Sequence, residues 1–227
     1  MFTGVIAQPG TKHCFVQWDV ECPAAGYCYS VGKDWVSRST NNGANWTRQF
    51  VGAYRFYGGS CTSTSSCWIS GKTPFMKYTS NSGAEWKLAT VSGLGAKGIF
   101  WDVMMANPTQ GYAVGCSNSE DTTDRCLGEG VIYRTDNGTT WNAVAAPTTA
   151  DIMDLWVFSM NEVVIVDWSG KIWRYSEGPT TPTVTPTTAA TNTPLLPTVN
   201  SSPTASATLP AQPTNTATVT PPATATN

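Results

Sequence analysis

The last fifty residues, 178–227, contain no Lys, Arg, Asp, Glu or His and no aromatic residue. They hold seventeen Thr and ten Pro instead. A segment with so little bulky apolar surface cannot offset the entropy lost on ordering. Residues 178–227 are therefore expected to be a disordered, glycosylated Thr/Pro-rich linker or stalk, and residues 1–177 one folded domain. Charge is also scarce: thirteen basic residues stand against fifteen acidic ones, for a net of −2. No basic stripe exists for nucleic acid, and no polybasic surface for a membrane.

Other shortages narrow the reading further. The one histidine, His13, leaves no Cys/His metal cluster, and no cofactor or metal is expected. No run approaches the length of a membrane-spanning helix, which argues against direct membrane insertion. The start, MFTGVIAQPG, has no basic n-region and no apolar run of signal-peptide length. The expectation is an export signal already removed, or a start inside a longer chain. No window sustains a 3.6-residue apolar period, so almost no helix is predicted.

What is present lies before residue 178: all ten Trp, all eight Tyr and all seven Phe. Six of the seven cysteines form close pairs, Cys22 with Cys28, Cys61 with Cys67, and Cys116 with Cys126. None has the C-x-x-C spacing of a zinc or redox motif. Three local disulfides in an oxidising compartment are predicted, with Cys14 left over.

A repeat runs through the aromatic part. SRSTNNGANW (37–46), KYTSNSGAEW (77–86) and YRTDNGTTW (133–141) match one another. Short apolar runs precede each turn: FVQWDV (15–20) and GYCYSVG (26–32), YRFYGG (54–59) and SCWISG (66–71), IFWDV (99–103) and GYAVG (111–115). A fourth unit reads DLWVFS (154–159), EVVIVDWSG (162–170) and KIWRYS (171–176), with no fourth copy of the turn expected. Short runs rich in Val, Ile, Trp, Tyr and Phe between Gly, Asn and Ser have strand chemistry. Four strands in about 40 residues match a propeller blade. The predicted fold is all-β, a β-propeller-like array of about four four-stranded blades.

The turns resemble the Asp-box, or BNR repeat, S/T-x-D-x-G-x-x-W/F, of sialidases, sortilin-type receptors, xyloglucanases and photosystem II assembly-factor propellers. The strand pattern is most similar to bacterial relatives of the last, over residues 14–176. Asn41 and Asn81 replace the usual Asp, and Arg134 stands where the third copy should have Ser/Thr. The resemblance implies a structural set of Ser39, Asn41, Gly43, Trp46, Thr79, Asn81, Gly83, Trp86, Asp136, Gly138 and Trp141. The acceptors should hold the tight turn, the glycines take positive φ, and the tryptophans bury rings between sheets. A calcium or sugar site at these turns is the alternative. Arg38, Arg134 and Arg174 recur near the turns, as a basic face or as solvated arginines over aromatic neighbours.

Trp18, Tyr57, Trp101 and Trp156 fall in the first strand of each unit, which lines the channel of a propeller. They are the candidate ligand-binding residues, or else fill a narrow axis. Asp19 and Asp102 share the context W-D-V, and a carboxylate pair is glycosidase chemistry. A residue repeated at one position of a repeat is more often structural, so no catalytic residue is assigned.

The expected function is a non-catalytic extracellular or cell-surface binding or scaffold module on a Thr/Pro stalk, with a protein or carbohydrate partner. Self-association or a longer parent chain are further expectations. N-W-T (45–47), N-G-T (137–139) and N-S-S (200–202) are N-glycan sequons. The alternatives are a sialidase-like glycoside hydrolase fragment and an assembly factor docking on a membrane protein complex. Finally, Phe2–Ala7 is predicted to complete the fourth blade by pairing with 171–176, because an open sheet edge invites aggregation.

Overall fold

The computed structural model describes residues 17–72, 76–120 and 123–176, with the backbone alone at 50–54. The predicted closing strand 2–7, Cys14 and the Thr/Pro segment 178–227 lie outside the described residues. Everything below concerns the compact unit that spans Met1–Ala190.

Among the described residues there are fourteen strands and no helix. They are β1 (Gln17–Ala24), β2 (Tyr27–Ser39), β3 (Thr47–Cys61), β4 (Cys67–Lys72), β5 (Met76–Thr79), β6 (Lys87–Leu88) and β7 (Thr90–Val91). There follow β8 (Ile99–Met105), β9 (Gly111–Cys116), β10 (Gly130–Thr135), β11 (Thr140–Val144), β12 (Ile152–Ser159), β13 (Glu162–Asp167) and β14 (Ile172–Ser176). Short β-branched and aromatic runs produce them; in β13, Val163, Ile165 and Asp167 point inward while the residues between face out.

The register groups the strands into four antiparallel blades. The third is simplest: β8, β9, β10 and β11 pair in sequence order. In the first, β1 pairs with the start of β2, and the end of β2 pairs with the start of β3. Asp34, at φ +67°, lies between the two halves of β2. The second half of β3, Arg55–Cys61, opens the second blade and pairs with β4, followed by β5 and β6. The fourth blade comprises β12, β13 and β14 among the described residues.

Apolar cores lie at the three blade junctions. Tyr29, Val31 and Val36 pack against Phe56, Cys67 and Ile69 between blades one and two. Trp68 and Met76 meet Phe100, Val103, Tyr133 and Trp141 at the second junction. Tyr112 and Val114 meet Ile152, Leu155, Val157, Val163 and Ile165 at the third. Fully burying side chains of this size is worth about 1.5–3 kcal/mol each, so these junctions dominate the stability of the array. Two equivalent tyrosines also latch each blade to a loop of the next: Tyr29 Oη donates to Thr64 O and Tyr112 Oη to Met160 O, both at 2.9 Å.

The polar turns follow from their side-chain acceptors. Ser39 Oγ accepts from Gly43 N at 2.9 Å, and Asn41 Oδ1 from Asn45 N at 2.8 Å. Thr79 and Asn81 repeat this with Gly83 N at 2.9 Å and Glu85 N at 3.0 Å. The third turn is one residue tighter. Thr135 Oγ1 accepts from Gly138 N at 2.9 Å, and Asn137 Oδ1 accepts from Thr139 N at 2.9 Å and Thr140 N at 2.8 Å. The acceptor role expected of Asp136 thus belongs to Asn137, and Asp136 points outward to Arg134 Nη2 at 2.9 Å. Gly138 sits at φ +72°, and a Cβ there would lie 2.6 Å from Pro108 O. Of the tryptophans, Trp141 is fully buried, but Trp46 and Trp86 are half-buried. Trp46 folds back on its own turn, donating from Nε1 to Gly43 O at 2.9 Å.

The fourth unit does carry a G-x-x-W turn, Gly170 to Trp173, between its second and third strands. Buried Asp167 holds it, accepting from Ser169 N at 2.9 Å, Lys171 N at 3.1 Å and Trp173 Nε1 at 2.9 Å. Burial alone would raise the Asp167 pKa, yet donors from Ser169, Trp173 and Lys171 bring it down to about 2.

Candidate functional site

The inner strands β1, the second half of β3, β8 and β12 stand side by side around an axis. Each contains a β-bulge at the same place in its pairing, at Trp18, Tyr57, Trp101 and Met153. A bulge leaves one residue outside the ladder and re-aims its side chain. Trp18 and Tyr57 stack with ring centroids 4.8 Å apart, and Tyr57 and Trp101 meet edge-on at 5.0 Å. Three of the four aromatic residues singled out in the sequence therefore form one row across three blades.

Trp156 does not join them. Met153 takes the bulge of the fourth blade, so Trp156 lies three residues further along the strand, 55% exposed beside Phe158. The spacing from each W/Y to the following apolar residues could not show this, because a bulge shifts the register by one without changing the composition.

The outer side of the aromatic row is fixed by hydrogen bonds. Trp101 Nε1 donates to Asp151 Oδ1 at 2.8 Å. Tyr57 Oη donates to Asp124 Oδ2 at 2.6 Å, and Lys72 Nζ donates to Asp124 Oδ1 at 2.9 Å. Arg55 pairs with the same carboxylate. Burial pushes the Asp124 carboxyl up, but Tyr57, Lys72 and Arg55 together hold it below the usual carboxylate range.

One residue past each bulge comes Asp19, Gly58, Asp102 and Asp154. Three of these four positions thus bring a carboxylate towards the axis. Asp19 accepts from Val20 N at 2.7 Å and, across the junction, from Gly59 N at 2.9 Å. Asp154 accepts from Leu155 N at 2.7 Å. Asp102 hydrogen-bonds to Asp154, and burial, followed by that contact, pushes its pKa up to about 8. Gly58 is required beneath it, since a Cβ there would lie 2.4 Å from Asp102 Oδ1. Glu21, two residues beyond Asp19, is raised to about 7 by burial and by Asp19. Burial also raises Asp19 itself.

Asp19, Glu21, Asp102 and Asp154 line a cleft of about 400 Å³ between the first and fourth blades, with Trp156, Val164 and Ile172 on one wall. Glu21, Asp154 and the role of Asp102 beside it were not legible from W-D-V alone, because the fourth unit carries its Asp without the Trp. A more apolar cleft of about 380 Å³ lies between blades three and four, lined by Ile132, Ala146, Pro147 and Trp173, with Arg134 and Arg174. Arg134 and Arg174 pair with Asp136 and Glu162 in their own blades, whereas Arg38 Nη1 reaches from the first blade to the second, donating to Ser82 O at 2.7 Å.

The cysteines pair locally, with Cys22–Cys28, Cys61–Cys67 and Cys116–Cys126 at disulfide distance. Among the described residues, Cys116, Cys126 and Asp151 are grouped closely enough for a metal, but two of the three are that last sulfur pair. The group offers a cation one carboxylate.

No family model matches the sequence, and no curated protein does. Solved structures do. YCF48 bound to D1 peptide is 17% identical, with a TM-score of 0.56, covering 84% of this chain and 62% of that one. YCF48 from Cyanidioschyzon merolae is 18% identical, with a TM-score of 0.58, covering 82% and 59%. An ancestral GH74 enzyme is 18% identical, with a TM-score of 0.53, covering 70% and 22%. The chain thus spans about three fifths of the length of the YCF48 chains. At these identities the likeness is one of fold, and the fold is a β-propeller.

Proposed function

We propose that this protein is a non-catalytic binding module of the Asp-box propeller type, working outside the cell, whose axis takes a cationic segment of a protein partner. The observation that carries this is the convergence of Asp19, Glu21, Asp102 and Asp154 on one cleft. Crowded, half-desolvated carboxyl groups hold protons near neutral pH. A lysine or arginine placed among them lets them ionise. YCF48 bound to D1 peptide, a propeller of similar fold, supports a peptide as the ligand. The Asp-box assignment rests on the acceptor–glycine turns at Ser39 to Gly43 and Thr79 to Gly83. The extracellular assignment rests on the three cysteine pairs and the Thr/Pro segment.

Glycoside hydrolysis is the weaker reading. It needs two carboxyl groups about 5–10 Å apart with a sugar between them. Asp102 and Asp154 hydrogen-bond to each other, so these two do not form such a pair.

Calorimetric titration with lysine- and arginine-containing peptides, their glutamate counterparts and a neutral oligosaccharide tests the proposal. Binding should be confined to the cationic peptides and fall in Asp102→Asn and Glu21→Gln. Equal binding of the glutamate peptides, or sugar binding alone, would overturn it. Release of reducing sugar from β-glucans or sialosides would overturn the non-catalytic part.

A further inference from the structure

The three junctions inside the chain repeat one design, and among the described residues its two halves are left uncovered at the ends of the array. On the leading face of blades one, three and four, Val20, Val103 and Leu155 hold the same position, paired with Ser30, Ala113 and Ile165; in blade two Gly59 holds it, paired with Ile69. Val103 is 1% exposed and Leu155 is 5%, each covered by the preceding blade, whereas Val20 is 57% exposed. On the trailing face, Asp19, Asp102 and Asp154 pair with Val31, Val114 and Val166. Val31 and Val114 are buried under the next blade, whereas Val166 is half-exposed. Its neighbour Ile172 is 45% exposed and Trp156 is 55% exposed.

The polar stitching repeats as well. Glu21, Ser60 and Met104 share one position, and each accepts from the equivalent backbone N–H of the following blade: Cys61, Met105 and Val157. Trp156 is the fourth member of that series. The fourth blade therefore offers an apolar side chain where the others reach across to a neighbour.

We infer that a second copy of this chain closes the ring, the trailing face of blade four in each copy packing on the leading face of blade one in the other. Each copy carries one face of each kind, so a two-fold axis along the channel satisfies both at once and leaves no free face. Eight blades result, and the axial carboxylates of both copies then line one channel. The occupant is another blade because the uncovered positions are those which a blade covers three times within the chain. Residues 178–227, which follow blade four, hold no aromatic residue from which to build it. The second copy covers Trp156, Val166 and Ile172, which line the axial cleft of the single chain, but the inference does not depend on what the carboxylates bind.

Sedimentation equilibrium on the full, unglycosylated, oxidised chain tests it. The expected mass is twice the 24.3 kDa of one chain. Val20→Asp and Trp156→Asp should each halve that mass with an unchanged melting temperature of the dissociated chain, since both side chains are exposed in the single chain. Mixing the two variants should restore a dimer weaker than the wild type, because one of its two junctions is intact. A wild type of single-chain mass overturns the inference. So does a mass that rises without limit, or a dimer that both substitutions leave intact.

Discussion

The hydroxyl of Tyr57 lies 2.6 Å from Asp124 Oδ2, tying an inner strand of the second blade to the Cys116–Cys126 insertion of the third. Arg55 and Lys72 complete the contact, so one carboxylate gathers three donors across a blade junction. Asp124→Asn should therefore destabilise the fold by roughly 1–3 kcal/mol, and Tyr57→Phe by about 1 kcal/mol. Urea unfolding measures both. Equal, negligible losses would mean that the insertion is not held by this cluster.

The pH dependence of stability should have two limbs of opposite sign. Asp167, at about 2 when folded, and Asp124, also depressed, contribute stability that is present above the unfolded carboxylate pKa of about 4 and lost as pH falls through their folded values. Asp102, near 8, and Glu21, near 7, act the other way. Their contribution is full below a pH of about 4 and lost as pH rises through the folded values, because the unfolded chain ionises them first. Melting temperature should therefore peak in mild acid and decline towards pH 8. In Asp102→Asn the decline should flatten; an unchanged slope would show that Asp102 does not carry it.

The third turn separates two adjacent residues. Asn137→Ala removes the acceptor for two backbone amides and should cost about 1–2 kcal/mol, like the loss of a helix cap. Asp136→Ala removes an exposed ion pair with Arg134 and a long hydrogen bond from Gln110, and should cost below about 1 kcal/mol. Denaturant titration that reversed this order would return the acceptor role to Asp136.

Reduction should weaken the first and second blades. Cys22–Cys28 and Cys61–Cys67 each close a loop with a sequence separation of 6, for which chain entropy gives about 2–3 kcal/mol per bond. Non-reducing peptide mapping should find all three pairs bonded. A melting temperature unmoved by reductant would rule out a stabilising role.

The sequence by itself determined the strand content, the period of the blades and the cysteine pairs, because alternation, turn chemistry and close spacing are local properties. It determined too that residues 178–227 have almost nothing to bury. It put Trp156 in the inner strand, where it lines the axial cleft, but not apart from the Trp18–Tyr57–Trp101 row, since a bulge at Met153 moves the register without leaving a mark in composition. It favoured Asp136 over Asn137 because the third turn is one residue tighter, and both residue types can accept. Only the tertiary structure decided that Asp19, Glu21, Asp102 and Asp154 share one cleft. Asp19 and Asp154 lie 135 positions apart in sequence and meet because the blades turn about a common axis, bringing equivalent positions of the inner strands together. The same curvature leaves Val20 exposed where Val103 is buried, a difference that neighbouring blades create and two identical valines cannot encode.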